Sequence, residues 1–373
     1  MSDKPKRKLY KDWFDKDAAL MLAEQLSRVY PEFQSERFIR LALENLLDLE
    51  FKARVQQFAA ALKETLPHDI PKALQVLTQS LPQPLPNCES PTDGWLQWPV
   101  GEFIALYAVD HFEAATEAMI ELTRRFSSEF AVRPFVEKYP ERTQETLLEL
   151  TKHNCPHVRR WCSEGMRPRL PWGSVLRDLV ADPAPIWPVL EALKDDPELY
   201  VRRSVANNIN DIAKDHPAQV VKKMKLWNKS AKAPRKWLIK HGLRSLIKKA
   251  DPGALEIMGF APPKAIKLTL NLEPARVELG ESVKMSLSLT STSQETQRLQ
   301  VDYLVHFVKQ AGKTAEKVFK WKTLELKSGE VIRLEKNHPM RQTSARRLYS
   351  GTHKIDLQIN GERFSGSEFQ FSN

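Results

Sequence analysis

Asn154-Cys155-Pro156-His157-Val158-Arg159-Arg160 and Asp196-Pro197-Glu198-Leu199-Tyr200-Val201-Arg202-Arg203 are two versions of one phrase, a proline-containing turn followed by Val-Arg-Arg. Proline is tolerated in the first turn of a helix, where its missing N–H leaves no bond unmade. Each phrase therefore predicts a helix that starts at its turn. The two valines are about 43 residues apart, inside the 40–47 range of HEAT-type repeats. A looser third copy runs from Trp237-Leu238-Ile239-Lys240 to the turn Lys249-Ala250-Asp251-Pro252. One helix pair cannot bury its apolar face alone, so neighbouring pairs stack into a curved solenoid with a concave surface.

Outward from these repeats the pattern stays helical to about residue 260. Apolar residues recur at three and four in Phe38-Ile39-Leu41-Ala42-Leu46-Leu47, in Leu74-Leu77-Leu81 and in Met119-Leu122-Phe126. Pro31, Pro67, Pro71, Pro82, Pro140, Pro183 and Pro217 punctuate short helices rather than breaking long ones. Composition changes at Pro262-Pro263. Ile266–Leu272, Val283–Leu289, Val301–Phe307, Val331–Arg333 and His353–Ile359 alternate with period two, the mark of strands with one wet face. Asn360-Gly361 is a hairpin turn signal. About seven short strands predict an immunoglobulin-like sandwich without the Cys–Trp–Cys signature of antibody domains. The expected fold is thus mainly α: a HEAT-like α-solenoid over 1–261, followed by a β-sandwich over 262–373.

The chain has 373 residues, 42% of them hydrophobic, enough for a sizeable core. No stretch reaches the length a membrane helix needs. The basic N-terminus, MSDKPKRKLYKDWF, has no apolar segment behind it and does not read as a secretory signal. Cys88, Cys155 and Cys162 are few and odd in number, which favours a reducing, cytoplasmic location over a disulfide framework. The net charge of +10 permits a nucleic-acid partner. Its distribution argues for one more strongly. From Lys222 to Lys249 eleven basic residues follow one another with no Asp or Glu between them, whereas a solvated surface mixes signs. The sandwich carries its own basic residues, among them Lys317, Lys320, Lys322 and Arg346. Phosphate-loop, dinucleotide and zinc-protease motifs are missing, and His153, Cys155, His157 and Cys162 match no usual zinc spacing; no metal or cofactor is expected.

Two constellations carry candidate chemistry. In the run from Val158 to Gly173 the helix should end near Gly165, a C-cap glycine. Glu164 then sits where the helix dipole disfavours a carboxylate, with Arg160 four residues before it and Arg167 and Arg169 nearby. Catalysis and a structural ion pair both explain that placement. In Val205-Ala206-Asn207-Asn208-Ile209-Asn210-Asp211, three asparagines are costly in a helix interior. Superposing Val158 on Val201 sets Glu164 against Asn207, so Glu164 and Asp211 can share the groove; satisfying inter-repeat turns is the competing explanation. The same choice, groove contact or brace between repeats, stands for Arg159, Arg160, Arg202 and Arg203.

These stretches, RRWCSEGMRPRLPW and VRRSVANNINDIAKDHP, resemble the AlkC family of DNA glycosylases, as does Ser127–Phe135 upstream. The resemblance covers most of residues 1–260, and some members of that family carry a C-terminal immunoglobulin-like domain. It implies an enzyme of base excision repair; no cofactor is expected, and since nothing in the sequence demands a dimer, a monomer is expected. Its partner would be double-stranded alkylated DNA, from which it removes cationic N3-methylated bases (3-methylcytosine and 3-methyladenine) without flipping them into a pocket. By motif, Glu129, Glu164, Trp172 and Asp211 match active-site positions. Arg159, Arg160, Arg167, Arg169, Arg202, Arg203, Lys240 and Arg244 are expected to bind DNA. For Trp172 the alternative is a core aromatic at a repeat junction, and for Glu129 it is charge complementarity at a helix N-terminus. A non-catalytic HEAT scaffold that binds nucleic acid or protein is the other reading of the whole.

Overall fold

A computed structural model of the chain describes residues 9–89, 93–310, 312–343 and 347–373. The basic residues 1–8 and Arg346 lie outside these. Two compact units are present: residues up to 216 together with 230–242, and residues 217–229 together with 243–373.

The first unit is helical. Its helices start as the prolines and acidic caps dictate. Asp15 and Asp69 each accept a bond from the N–H three residues on, Ala18 at 3.1 Å and Lys72 at 2.9 Å. Pro71, Pro99, Pro134, Pro140 and Pro156 each occupy a first turn. Both Val-Arg-Arg phrases open helices, Pro156–Gly165 and Leu199–Ile212. These pack side by side with Val158, Val201 and Val205 fully buried between layers. Helix Ala233–Gly242 stacks on the next face, where a Cβ on Gly242 would come within 3.0 Å of Ile209. The 43-residue spacing is therefore a real structural repeat, and the solenoid expectation holds for this stack.

Gly165 corrects one expectation. It is the last helical residue and does not adopt the left-handed backbone of a C-cap glycine. It is there because a Cβ would meet Val132 Cγ1 at 2.6 Å. The left-handed residue comes later, at Trp172, with φ 66°.

Among the described residues the second unit holds eight strands: β1 (Ile266–Glu273), β2 (Arg276–Glu278), β3 (Ser282–Ser291), β4 (Gln297–Val308), β5 (Thr314–Leu326), β6 (Val331–Pro339), β7 (Gly351–Ile359) and β8 (Glu362–Ser372). They form a three-stranded sheet, β1-β3-β6, and a five-stranded sheet, β2-β8-β7-β4-β5. The sandwich core lies between them, with Val283, Met285, Val301, Val305, Ile355 and Leu357 fully buried. Asn360 and Gly361 both have positive φ, 46° and 91°, as a two-residue turn between β7 and β8 requires. Helices Pro217–Asn228, Arg244–Lys248 and Pro252–Ile257 belong to this unit too. The compositional break at Pro262 thus marks the first strand rather than the edge of the compact unit.

Candidate active site

The site forms along one face of helix Pro156–Gly165. Residues 157, 160 and 164 follow one another at helical spacing, so His157, Arg160 and Glu164 share that face. Arg167 follows just beyond the helix end. The neighbouring helix Leu199–Ile212 brings Tyr200 and Ser204 alongside, and the segment before helix Arg133–Lys138 brings Ser127 and Glu129. Trp95, Trp98, Phe130 and Trp172 add an aromatic wall. All of these except His157 and Ser204 line a cleft of about 320 Å³.

Its charges alternate and are all engaged. Arg160 donates to Glu129 at 2.7 Å and to the Ser127 hydroxyl at 3.2 Å, and lies 3.4 Å from Glu164. Its guanidinium also sits over the Tyr200 ring, 5.0 Å from the centroid. Arg167 bridges two acids, donating to Glu164 at 2.7 Å and to Asp211 at 2.8 Å. Glu164 accepts a further bond from the Ser204 hydroxyl. Burial alone would raise the Glu164 pKa. The guanidiniums of Arg160 and Arg167 outweigh that, with the Ser204 hydroxyl, and hold it below the usual carboxylate range. For Arg160 burial works against the charge, but Glu129 and Glu164 overcome it and raise its pKa. Burial pushes the Tyr200 phenol up to about 12. The cleft thus holds an ionised Glu164 and a neutral Tyr200 at neutral pH.

The expected site residues fall into distinct places. Glu129, Glu164 and Trp172 line the cleft. Glu129 is not in the first turn of a helix, so helix-terminus complementarity is not its role; Arg160 is its partner. Trp172 is 48% exposed and no core aromatic. Asp211 is 2% exposed and outside the lining; Arg167 and Lys214 hold its two oxygens, the latter at 2.8 Å. It reaches the cleft only through Arg167.

Of the arginines, Arg160 and Arg167 line the cleft. Arg159 instead clamps Asp196, at 2.6 and 3.2 Å, and donates to the carbonyls of His153 and Asn154. Arg202 donates to the carbonyls of Asp196 and Pro197. Arg169 is paired with Asp215 at 2.9 and 3.0 Å. Arg203 and Lys240 are exposed, and Arg244, half-buried, lies in the second unit. The acid-free run from Lys222 to Lys249 is divided between the units. Within it Arg235 is paired with Asp195, and Lys225 with Glu256 at 2.7 Å, while Lys222, Lys232 and Lys236 are exposed. Asn208 donates to the Ser163 carbonyl at 2.9 Å, an inter-repeat bond of the kind weighed for these asparagines.

Tyr200, Phe130, Trp95, Trp98 and Arg133 were not foreseen. Tyr200 stands directly before Val201-Arg202-Arg203, and its place at the start of a repeat helix was the available signal. Trp98 and Phe130 stack, with centroids 4.6 Å apart, although 31 intervening residues separate them in sequence. Arg133 is 1% exposed, and burial pushes its pKa down to about 10.

Comparison with known proteins covers both units. A family model described as "Uncharacterised protein YhaZ, C-terminal Ig-like domain" matches residues 267–373. The YhaZ protein of Bacillus subtilis (strain 168) is 34% identical over 362 residues, 96% of this chain and 98% of that one. The Pseudomonas fluorescens alkylpurine DNA glycosylase AlkC, solved bound to DNA containing an abasic site analog, is 34% identical. It matches with a TM-score of 0.90 over 98% of this chain and 100% of that one. A likeness of this depth, spanning helices and sandwich alike, makes the chain a member of the AlkC family.

Proposed function

We propose that this chain, a DNA glycosylase of alkylation repair, hydrolyses the N-glycosidic bond of cationic N3-methylated bases, 3-methylcytosine and 3-methyladenine, in duplex DNA. The observation that carries the reading is the carboxylate of Glu164 held between two arginines on the wall of an aromatic cleft.

A cationic base needs no proton to leave. As the bond from C1′ to the base nitrogen breaks, its electron pair neutralises the base and the deoxyribose becomes oxocarbenium-like. Fixed negative charge beside the sugar lowers that barrier. Water adds to C1′ and gives up a proton, leaving the free base and an abasic sugar. In this scheme Glu164 faces the developing cation and orients the water, with Glu129 as the second carboxylate of the cleft. Asp211 holds the Arg167 fork in register. The Trp172 face meets the sugar, so the base need not leave the stack. Exposed Arg203 and Lys240 contact phosphates. Among the described residues no helix is long and apolar enough to cross a membrane, and the three cysteines are free thiols. We place the reaction in the cytoplasm, carried out by a monomer.

The test is single-turnover release of methylated bases from N3-methylated duplex DNA. Wild type should release them, and Glu164→Gln should slow release at least about a hundredfold, the scale of a lost electrostatic contact in a transition state, with DNA affinity kept. Release no faster than the spontaneous rate in wild type would sink the proposal.

A further inference from the structure

Trp172 has empty space on two sides. Trp98, Phe130 and Trp172 line the cleft of about 320 Å³ and also a second cavity of about 220 Å³, which Lys52, Gly173 and Ser174 help to enclose. The Trp172 ring also meets those of Tyr10, Phe51, Trp95 and Trp98, with centroids 5.5, 5.8, 6.1 and 6.2 Å away. Its backbone, at φ 66°, is in the left-handed region, which is unfavourable for a bulky side chain and persists only where surroundings enforce it.

Arg133 supplies that enforcement. Its guanidinium donates to the carbonyl of Gly165 at 3.2 Å, to that of Arg167 at 3.0 Å, and to both the carbonyl and the hydroxyl of Ser174. One buried side chain thus joins the end of the helix carrying Arg160 and Glu164 to both ends of the loop 167–174. Among the described residues no carboxylate lies within ion-pairing distance of it, so its donors are given wholly to this loop and helix end. A Cβ on Gly173 would lie 3.1 Å from Arg133 Nε, so any side chain there would press on the guanidinium and require it to shift by a few tenths of an ångström. At the tip, Lys52 donates to the Trp172 carbonyl.

We propose that Arg133 is a positioning residue. It fixes the loop 167–174 so that Arg167 and Trp172 meet the substrate in one geometry, with Lys52 completing the hold at the tip. The proposal rests on the glycosylase reading for its effect on rate, but not for its effect on the loop. Lysine cannot replace the arginine, because a point donor cannot span carbonyls on two sides as a planar fork does.

Two variants test this, Arg133→Lys in the interior and Lys52→Met at an exposed position, each checked for its melting temperature. Three quantities are read: amide hydrogen exchange at Gly173 and Leu176, whose N–H groups close the loop on Leu170 and Pro168; the single-turnover rate at saturating DNA; and DNA affinity. Both variants should exchange faster at these amides and lose about tenfold or more in saturating rate, with affinity kept within about twofold. Unchanged exchange and rate in a folded Arg133→Lys protein overturns the proposal. Should that variant not fold, Lys52→Met decides alone: faster exchange with a slower saturating rate supports the hold, and a loss of affinity and salt slope without either overturns it, making Lys52 a phosphate contact. A wild type that releases no base removes the glycosylase reading, while the exchange data still decide whether Arg133 holds the loop.

Discussion

Glu164 carries its charge at the end of a helix whose dipole opposes it, and two arginines repay the difference. The sign of its pH dependence follows. Its pKa is lowered in the folded protein, so the carboxylate is ionised throughout the neutral range and gains a proton only in acid, below the usual carboxylate pKa. Base release measured against pH should therefore be flat from about pH 5 to pH 8 and fall only below that. A rise in rate with pH through the neutral range would mean that some other group titrates in the reaction. The same pairing stabilises the fold above the unfolded carboxylate pKa, and that stability is lost as pH falls through the lowered one. At this scale the sequence was legible where spacing is local: Arg160 and Glu164 follow from helical periodicity, and Arg167 from its closeness in sequence to Glu164. Asp211 was legible as an acid near the site but not as a buried one, because its depth depends on Arg167 reaching across from another repeat. Arg133 was not legible at all, since its acceptors lie more than thirty residues downstream.

At the scale of elements, the repeat phrase was read correctly as two helix starts, but its arginines were read as equals and are not. In each copy the first arginine turns back to the turn preceding its own helix, Arg159 to His153 and Asn154 and Arg202 to Asp196 and Pro197, and Arg159 also reaches the next repeat's turn at Asp196. The second arginine of each copy points elsewhere, Arg160 into the cleft and Arg203 to an exposed position. The brace and the groove contact, left open for each arginine by the sequence, are thus divided between positions within the repeat. Arg159→Ala should lower the melting temperature, as expected for a half-buried ion pair and two carbonyl bonds lost together, and leave the salt dependence of DNA binding unchanged. Arg203→Ala should leave the melting temperature within about 0.5 kcal/mol of stability and reduce the salt slope by about 1. Equal effects of the two on the slope would restore the reading of both as phosphate contacts. Among the strands, β3 and β7 were legible from strict alternation, whereas β5 was seen only as a basic stretch. It is an edge strand, and Lys317, Lys320 and Lys322 on it are a common defence of an unpaired edge against other chains.

At the scale of the molecule, the two kinds of residue pattern and the two compact units divide the chain differently, and the reason lies on the outer face of the five-stranded sheet. An exposed sheet face should alternate polar and wet, yet Gln300, Asp302, Leu304 and Gln358 are all buried. Chain preceding Pro262 accounts for part of this. Asn360 donates to the Ala261 carbonyl at 2.6 Å, and Arg298 to that of Met258 at 3.1 Å while lying 4.9 Å above the Phe260 ring. Gly361 is packed so closely that a Cβ would touch Leu255 and Ala250, at 3.0 and 3.2 Å. Burial raises the Asp302 pKa in the same region. No period-two or period-3.6 pattern reports such a contact, because it is made between a helix end and a sheet face, each ordinary by itself. A fragment cut at the compositional break, 262–373, therefore begins without the chain that covers this face. It should melt well below a fragment that starts at residue 243, by an amount on the order of the 1–3 kcal/mol that each stranded buried polar group costs, and it should bind a hydrophobic dye that the longer fragment does not. Equal melting of the two would show that the helical turns at 244–257 merely rest on the sandwich, and would return the boundary to Pro262.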